Sequence, residues 1–286
     1  MSSALATPPV EEPTVSPTPA TAAPEPPVVR GAATRAALWR VTKPSIAILA
    51  FLGLWELAPR VGLADEVFLP PFSTVIDALF GLASSGQLWE HLSASLTRAV
   101  IGFSIAVVIA IPLGIAIAWY RPVSEFLSPI LEVFRNTAAL ALLPVFVLIL
   151  GIGEESKIAL VIFACTFPIL LNTISGVRTV DPLLIKSASS LGLPPVRLFQ
   201  KVVLPAAVPT IFTGIRMAAA ASILVLIAAE MVGAKAGLGY LITASQLNFQ
   251  IPDMYAGIVA ISILGVTLNA ILVTIERRLS RWRETN

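Results

Sequence analysis

Charge is the scarcest commodity in this sequence. Of its 286 residues 13% are charged and 56% hydrophobic, where a soluble domain carries about 25% charged residues. The 19 Lys and Arg and 17 Asp and Glu cannot coat a globule of this size. They fall in short segments between long apolar runs, which argues against a water-soluble protein and for a multi-span membrane protein. The single cysteine, Cys165, excludes an intramolecular disulfide framework, and the single histidine, His91, argues against His-based metal or triad chemistry. No catalytic residue and no metal-ligand set is therefore assigned, and the chain reads as a non-enzyme. There is no Gly-rich loop ending in Lys-Ser/Thr, so no nucleotide cofactor is expected on this chain. A net charge of +2 is too small to point to nucleic acid.

Residues 1–43 form a region of their own, with eight prolines from Pro8 to Pro27 among Ala, Thr, Ser and Glu. This composition predicts a disordered Pro/Ala-rich tail on the cytoplasmic side, and it lacks the apolar core of a secretory signal. A first transmembrane helix is expected within 44–68, from Pro44 to Ala58, although it is short and contains Glu56. Uncharged runs long enough to cross about 30 Å of hydrocarbon follow at Ala99–Trp119, Asn136–Gly153, Ile158–Val177 and Met254–Ile275. A further span runs from about Ala206 to Val232, with Arg216 near one end and Glu230 near the other. Between the first two spans, Pro70–Ser95 is broken up by Asp77, Gln87, Glu90 and His91, which predicts an amphipathic helix on the outer surface.

Six spans with both termini inside put fourteen Lys and Arg on the cytoplasmic face, among them Arg30, Arg121, Arg178, Lys201 and Arg278. Only Arg60, Lys157 and Lys235 are left outside. Moving the parity by one span destroys this bias, so the positive-inside rule selects the all-α, six-helix, N-in/C-in arrangement, with lipid around it and the basic face toward the cytoplasm.

The longest cytoplasmic connection, Arg178–Pro205, is punctuated like two short helices. Asp181-Pro182 is an N-cap followed by proline at the first helical position, Leu183–Leu191 can be helical, and Gly192 is a natural left-handed stop. Pro194-Pro195 restart the chain, Val196–Leu204 forms the second helix and Pro205 opens the next span. Such an elbow would present Leu191, Leu193, Val196, Leu198 and Phe199 to water, either for docking into a groove on another protein or for folding back under the spans.

The stretch KSASSLGLPPVRLFQKVVLP resembles the EAA loop of membrane subunits of ATP-binding-cassette importers, with Ala188, Gly192, Val202, Leu204 and Pro205 at matching places. Lys186 stands where that family usually has Glu, and Ser187 replaces the first Ala. Segments such as FRNTAALALLPVFVLILGIGEESKIAL and AEMVGAKAGLGYLI extend the likeness over about 69–283, toward permeases for aliphatic sulfonates, taurine, nitrate and bicarbonate. The resemblance implies a type I importer (MetI-like) permease fold over 69–283 and a homodimer enclosing one pathway. It also implies a cytoplasmic ATPase dimer that holds ATP and Mg, and an extracytoplasmic solute-binding protein. Asp181, Lys186, Ala188, Leu191, Gly192, Leu193, Val196, Phe199, Leu204 and Pro205 would then form the ATPase-coupling surface, within the loop 178–205.

For the pathway, intramembrane polar residues are the candidates: Asn136, Ser222 and Glu230. Glu230 admits two readings, a gate or outer contact and a hydrogen-bonded structural acid. Arg98 and Arg216 read as side chains snorkelling to an interface. Pro112, Pro144, Pro168 and Pro209 read as kinks within spans, Cys165 as a small buried packing residue, and Gly237-Leu238-Gly239 as a tight outer bend. The rival to a small-anion importer is an ion-coupled secondary transporter, which needs a midplane ion site. An importer of the same build for a non-anionic nutrient is the other alternative.

Overall fold

The computed structural model describes residues 46–279. The Pro-rich tail, the start of the first expected span and the basic residues Arg281 and Arg283 lie outside them. Among the described residues every regular element is helical. Helix α1 covers 46–60; its part up to Phe51 belongs to a separate unit and is solvent-accessible, and the compact body begins at Leu52. That body contains α2 (Phe72–Ser84), α3 (Gln87–Trp119), α4 (Arg121–Arg135), α5 (Leu143–Leu150), α6 (Glu154–Arg178), α7 (Pro182–Ser190), α8 (Pro195–Leu198), α9 (Leu204–Glu230), α10 (Leu238–Leu247) and α11 (Ile251–Leu279).

Helices α3, α6, α9 and α11 are long and apolar enough to cross a membrane. The first three form the centre of the body, because small residues let their backbones approach. On α3 the buried positions Ala99, Gly102, Ala106, Ala110 and Gly114 recur every three to four residues and so form one stripe. A methyl group on Gly102 would lie 3.1 Å from the Ile158 carbonyl of α6, and one on Gly214 of α9 would lie 2.8 Å from the Pro168 carbonyl. In lipid, where apolar burial gives helices no reason to associate, this close packing is what holds them together. Cys165 sits fully buried in the same seam, its Sγ 3.4 Å from the Ala218 carbonyl.

Three expectations about spans are corrected. The run Asn136–Gly153 is not a span by itself. Its helical part is Ala139–Leu150, a 3₁₀ turn at Ala139–Leu142 leading into the eight-residue α5, and this piece meets α4 at 89°. Pro144 stands in the first turn of α5, so it opens a helix instead of kinking one, and its missing N–H prevents a regular bond back to Leu140. The segment Pro70–Ser95 is likewise not one surface helix. It breaks at Ser85-Gly86, where Gly86 adopts φ +85°, and from Gln87 onward it is the start of α3. Third, the second elbow helix does not stop before the next span. Pro195–Glu230 runs on as a nearly continuous rod through a π turn at Phe199–Val203. Pro205 accounts for that turn: its ring would press on the Lys201 carbonyl in a regular helix, and widening the preceding turn relieves the clash.

Candidate functional site: an elbow and a buried ionic cluster

Two constellations occupy opposite ends of the α3, α6 and α9 bundle. The first is the elbow. The Asp181 carboxylate accepts a hydrogen bond from the Leu183 amide at 2.8 Å, capping α7, and Pro182 follows at the first helical position. The far end of α7 closes in a Schellman motif: the Leu193 amide bonds the Ala188 carbonyl and the Gly192 amide bonds the Ser189 carbonyl. Gly192 takes φ +75° there, a conformation L side chains disfavour. The motif explains the spacing of Ala188, Gly192 and Leu193, because it joins these three positions by their backbones and turns Ala188 inward. Ala188, Leu198 and Val203 are buried against Val177, Val180 and Ala207, so the elbow is fastened to the C-terminal end of α6 and the start of α9. Leu183, Leu184, Leu191 and Val196 remain exposed, Leu191 at 80%. Beside them Trp119 meets Phe199 edge-on at 5.0 Å between ring centroids, and Arg178 donates to Ser124 at 2.7 Å.

The second constellation lies at the other end, where α3 and α6 begin and α9 ends. One edge of the Arg98 guanidinium is committed inward: Nη1 donates to Glu230 Oε1 at 2.6 Å and to the Ala236 carbonyl at 2.7 Å. The other edge, Nε and Nη2, grips Glu154 with two bonds, that from Nη2 measuring 2.7 Å. The Arg98 side chain is 5% exposed and that of Glu230 0%, whereas that of Glu154 is 61% exposed. Ser95 donates to the Glu230 carboxylate at 2.8 Å and accepts from the Leu238 amide at 2.8 Å. The Gly239 amide reaches Glu230 Oε2 at 3.0 Å, and the Gly237 amide reaches His91 Nδ1 at 3.2 Å. Three successive amides at the start of α10 are thus consumed by α3 and α9. A side chain on Gly237, with φ +126°, would overlap the Glu230 carboxylate, which is why the bend is written Gly-Leu-Gly. Lys157 is buried beside this cluster, its Nζ 3.0 Å from the Gly153 carbonyl.

Comparison with known proteins settles the family. A profile described as "Binding-protein-dependent transport system inner membrane component" matches residues 110–284. The taurine transport system permease protein TauC of Escherichia coli (strain K12) is 36% identical over 244 residues, covering 83% of this chain and 89% of that one. The chain belongs to this permease family. A putative aliphatic sulfonates transport permease protein, SsuC of Bacillus subtilis (strain 168), is 32% identical, covering 82% of this chain and 85% of that one. In fold the chain is similar to an inward-facing structure of the MetNI methionine ABC transporter, with a TM-score of 0.56 and 21% identity over 68% of this chain and 94% of that one. It is a multi-pass inner-membrane protein with an importer permease fold, and its family is that of translocation subunits, in which ATP is hydrolysed by a separate chain.

Within this permease the expected coupling residues divide by burial. Asp181, Lys186, Leu191, Gly192 and Val196 are exposed, Leu193, Phe199, Leu204 and Pro205 are half-buried, and Ala188 is buried. Leu198, expected on the outside, points into the core. The pathway candidates are not brought together. Asn136 lies exposed at the bend after α4, bonded to the Glu132 carbonyl, and Ser222 is buried and bonded to Ala219 within α9. Glu230 is hydrogen-bonded on every side. Arg98 does not snorkel as expected: it is buried, because it finds two carboxylates within the bundle, and Lys157 is buried too, bonded to a carbonyl. Arg216 pairs with Glu276 of α11 at 3.1 Å. One signal in the sequence pointed to the cluster. Arg98 and Glu154 begin their apolar runs and Glu230 ends its own, so alternating span directions place all three at one end.

Proposed function

We propose that this permease moves a small oxyanion of the aliphatic sulfonate and taurine class, with nitrate and bicarbonate as the next candidates, into the cytoplasm. It would do so as a homodimer with six spans per chain and both termini inside. The taurine and sulfonate transport named for two relatives supports this class. The observation that carries the mechanism is the elbow. Exposed Leu191 and Val196 sit on a turn whose backbone is locked by the Schellman motif and whose inner face is packed on α6 and α9. An apolar projection that rigid suits a cleft on a cytoplasmic ATPase, with each elbow seated on one subunit. The near-continuous rod Pro195–Glu230 then carries movement of the elbow into the membrane as rocking of α9, the rigid-body element of alternating access. ATP and Mg would stay on that partner, and a binding protein outside would deliver the solute.

The test is uptake of labelled taurine and alkanesulfonates in cells carrying the permease together with an ATPase and a binding protein of this importer class. Leu191→Asp, which puts a charge on the exposed apolar tip, or deletion of Pro182–Phe199, is expected to abolish uptake while the protein still inserts. Normal uptake in either variant, or uptake that persists after the ATPase is inactivated, rules the reading out.

A further inference from the structure

The two edges of the Arg98 guanidinium are in different circumstances. The Nη1 edge is sealed inside, with a fully buried carboxylate and a backbone carbonyl as acceptors. The Nε/Nη2 edge faces Glu154, whose side chain is mostly exposed. A half-open pocket of about 340 Å³ lies at this edge, lined by Ser93, Thr97, Arg98, Ile101, Glu154 and Ile158. Glu154 can therefore leave Arg98 at modest cost, since water receives the exposed carboxylate. Releasing Glu230 would instead strand a buried charge.

Charge balance gives the vacated edge a preference. Without Glu154, the buried set Arg98, Lys157 and Glu230 carries one net positive charge in a site of low polarity. Two parallel N–H donors on a planar fork match the oxygen pair of a carboxylate or sulfonate, and Glu154 demonstrates the match by occupying it. The apolar lining by Ile101 and Ile158 suits a short alkyl chain behind the head group.

We propose that the Nε/Nη2 edge of Arg98 is a seat for a small monovalent oxyanion within the permease itself, and that Glu154 is its built-in competitor, which a sulfonate head group displaces. The substrate class rests on the function proposed above; the seat rests on the geometry. Residence there would tie the presence of anion to the junction of α3, α6 and α9, because Glu154 opens α6 while the opposite edge of Arg98 stays bound to the end of α9.

The full-length permease in nanodiscs of zwitterionic lipid tests this, with methanesulfonate as the probe and thermal unfolding as the readout. In Glu154→Gln the competing charge is gone, and methanesulfonate is expected to raise the unfolding midpoint with a half-effect concentration about tenfold lower than in the unaltered protein. Dimethyl sulfone, similar in shape but uncharged, should do nothing. Equal response of the two proteins, an equal response to chloride at matched ionic strength, or no response overturns the seat. Should Glu154→Gln yield too little protein, Glu154→Asp shortens the competitor by one methylene and is expected to shift in the same direction. The measurement needs neither the ATPase nor the binding protein, so loss of the seat and failure of the importer reading show separately.

Discussion

Glu230 is the residue on which the far end of the bundle turns. Its carboxylate is held by Arg98 and Ser95 of α3 and by the Gly239 amide in the first turn of α10. Removing one member of such a buried pair costs roughly 3–5 kcal/mol, whereas replacing both by apolar groups of similar volume is often neutral or stabilising. Glu230→Leu is therefore expected to lower stability by about that amount. The double variant Glu230→Leu with Arg98→Met should recover much of the loss, as read from the thermal midpoint in detergent. A double variant as unstable as the two single losses added together contradicts this account. Little of this pairing was legible in the sequence. Arg98 alone at the edge of an apolar run has the look of a snorkelling side chain, and only its partners, 56 and 132 positions away, turn it inward.

At the scale of the element, the elbow was the most readable part. Caps and stops are local chemistry: Asp181-Pro182 and Gly192 lie within a few residues of the groups they satisfy. The left-handed backbone at Gly192 costs an L residue about 1–2 kcal/mol, with Asn the best tolerated. Gly192→Val is expected to loosen the end of α7 and expose it to limited proteolysis, with uptake sharply reduced, while Gly192→Asn stays near wild type on both measures. Equal proteolytic sensitivity of the two variants would count against the Schellman closure as the source of the elbow's rigidity. The 89° break after α4 was not legible. Hydropathy counts apolar residues and is blind to whether a turn bends or continues a rod, so the turn between Arg135 and Ala139 went unread at the start of a run of suitable length. The π turn at Phe199–Val203 escaped for the same reason: prolines signal interruption, but whether a helix stops or widens depends on what holds its flanks. Here Leu198 and Val203 are buried against α6 and α9 and keep the rod together.

At the scale of the whole molecule, the described residues hold four long apolar helices and one bent pair, and the proposed six-span arrangement is open to a direct test. Topology has a clean assay because the native Cys165 is fully buried and should stay silent to water-soluble thiol reagents. Ser190→Cys on the elbow is expected to react only from the cytoplasmic side, and Glu155→Cys at the start of α6 only from outside. Labelling of both from the same side would remove the six-span arrangement. By itself the sequence determined the medium and the elbow, because both follow from local or summed properties: scarce charge, and turn chemistry a few residues long. The tertiary structure alone decided which charges are buried, which apolar runs are broken, and that a guanidinium with one sealed edge and one exchangeable edge sits where three helices meet. These are properties of residues far apart in the chain, and their energies depend on who their neighbours are after folding.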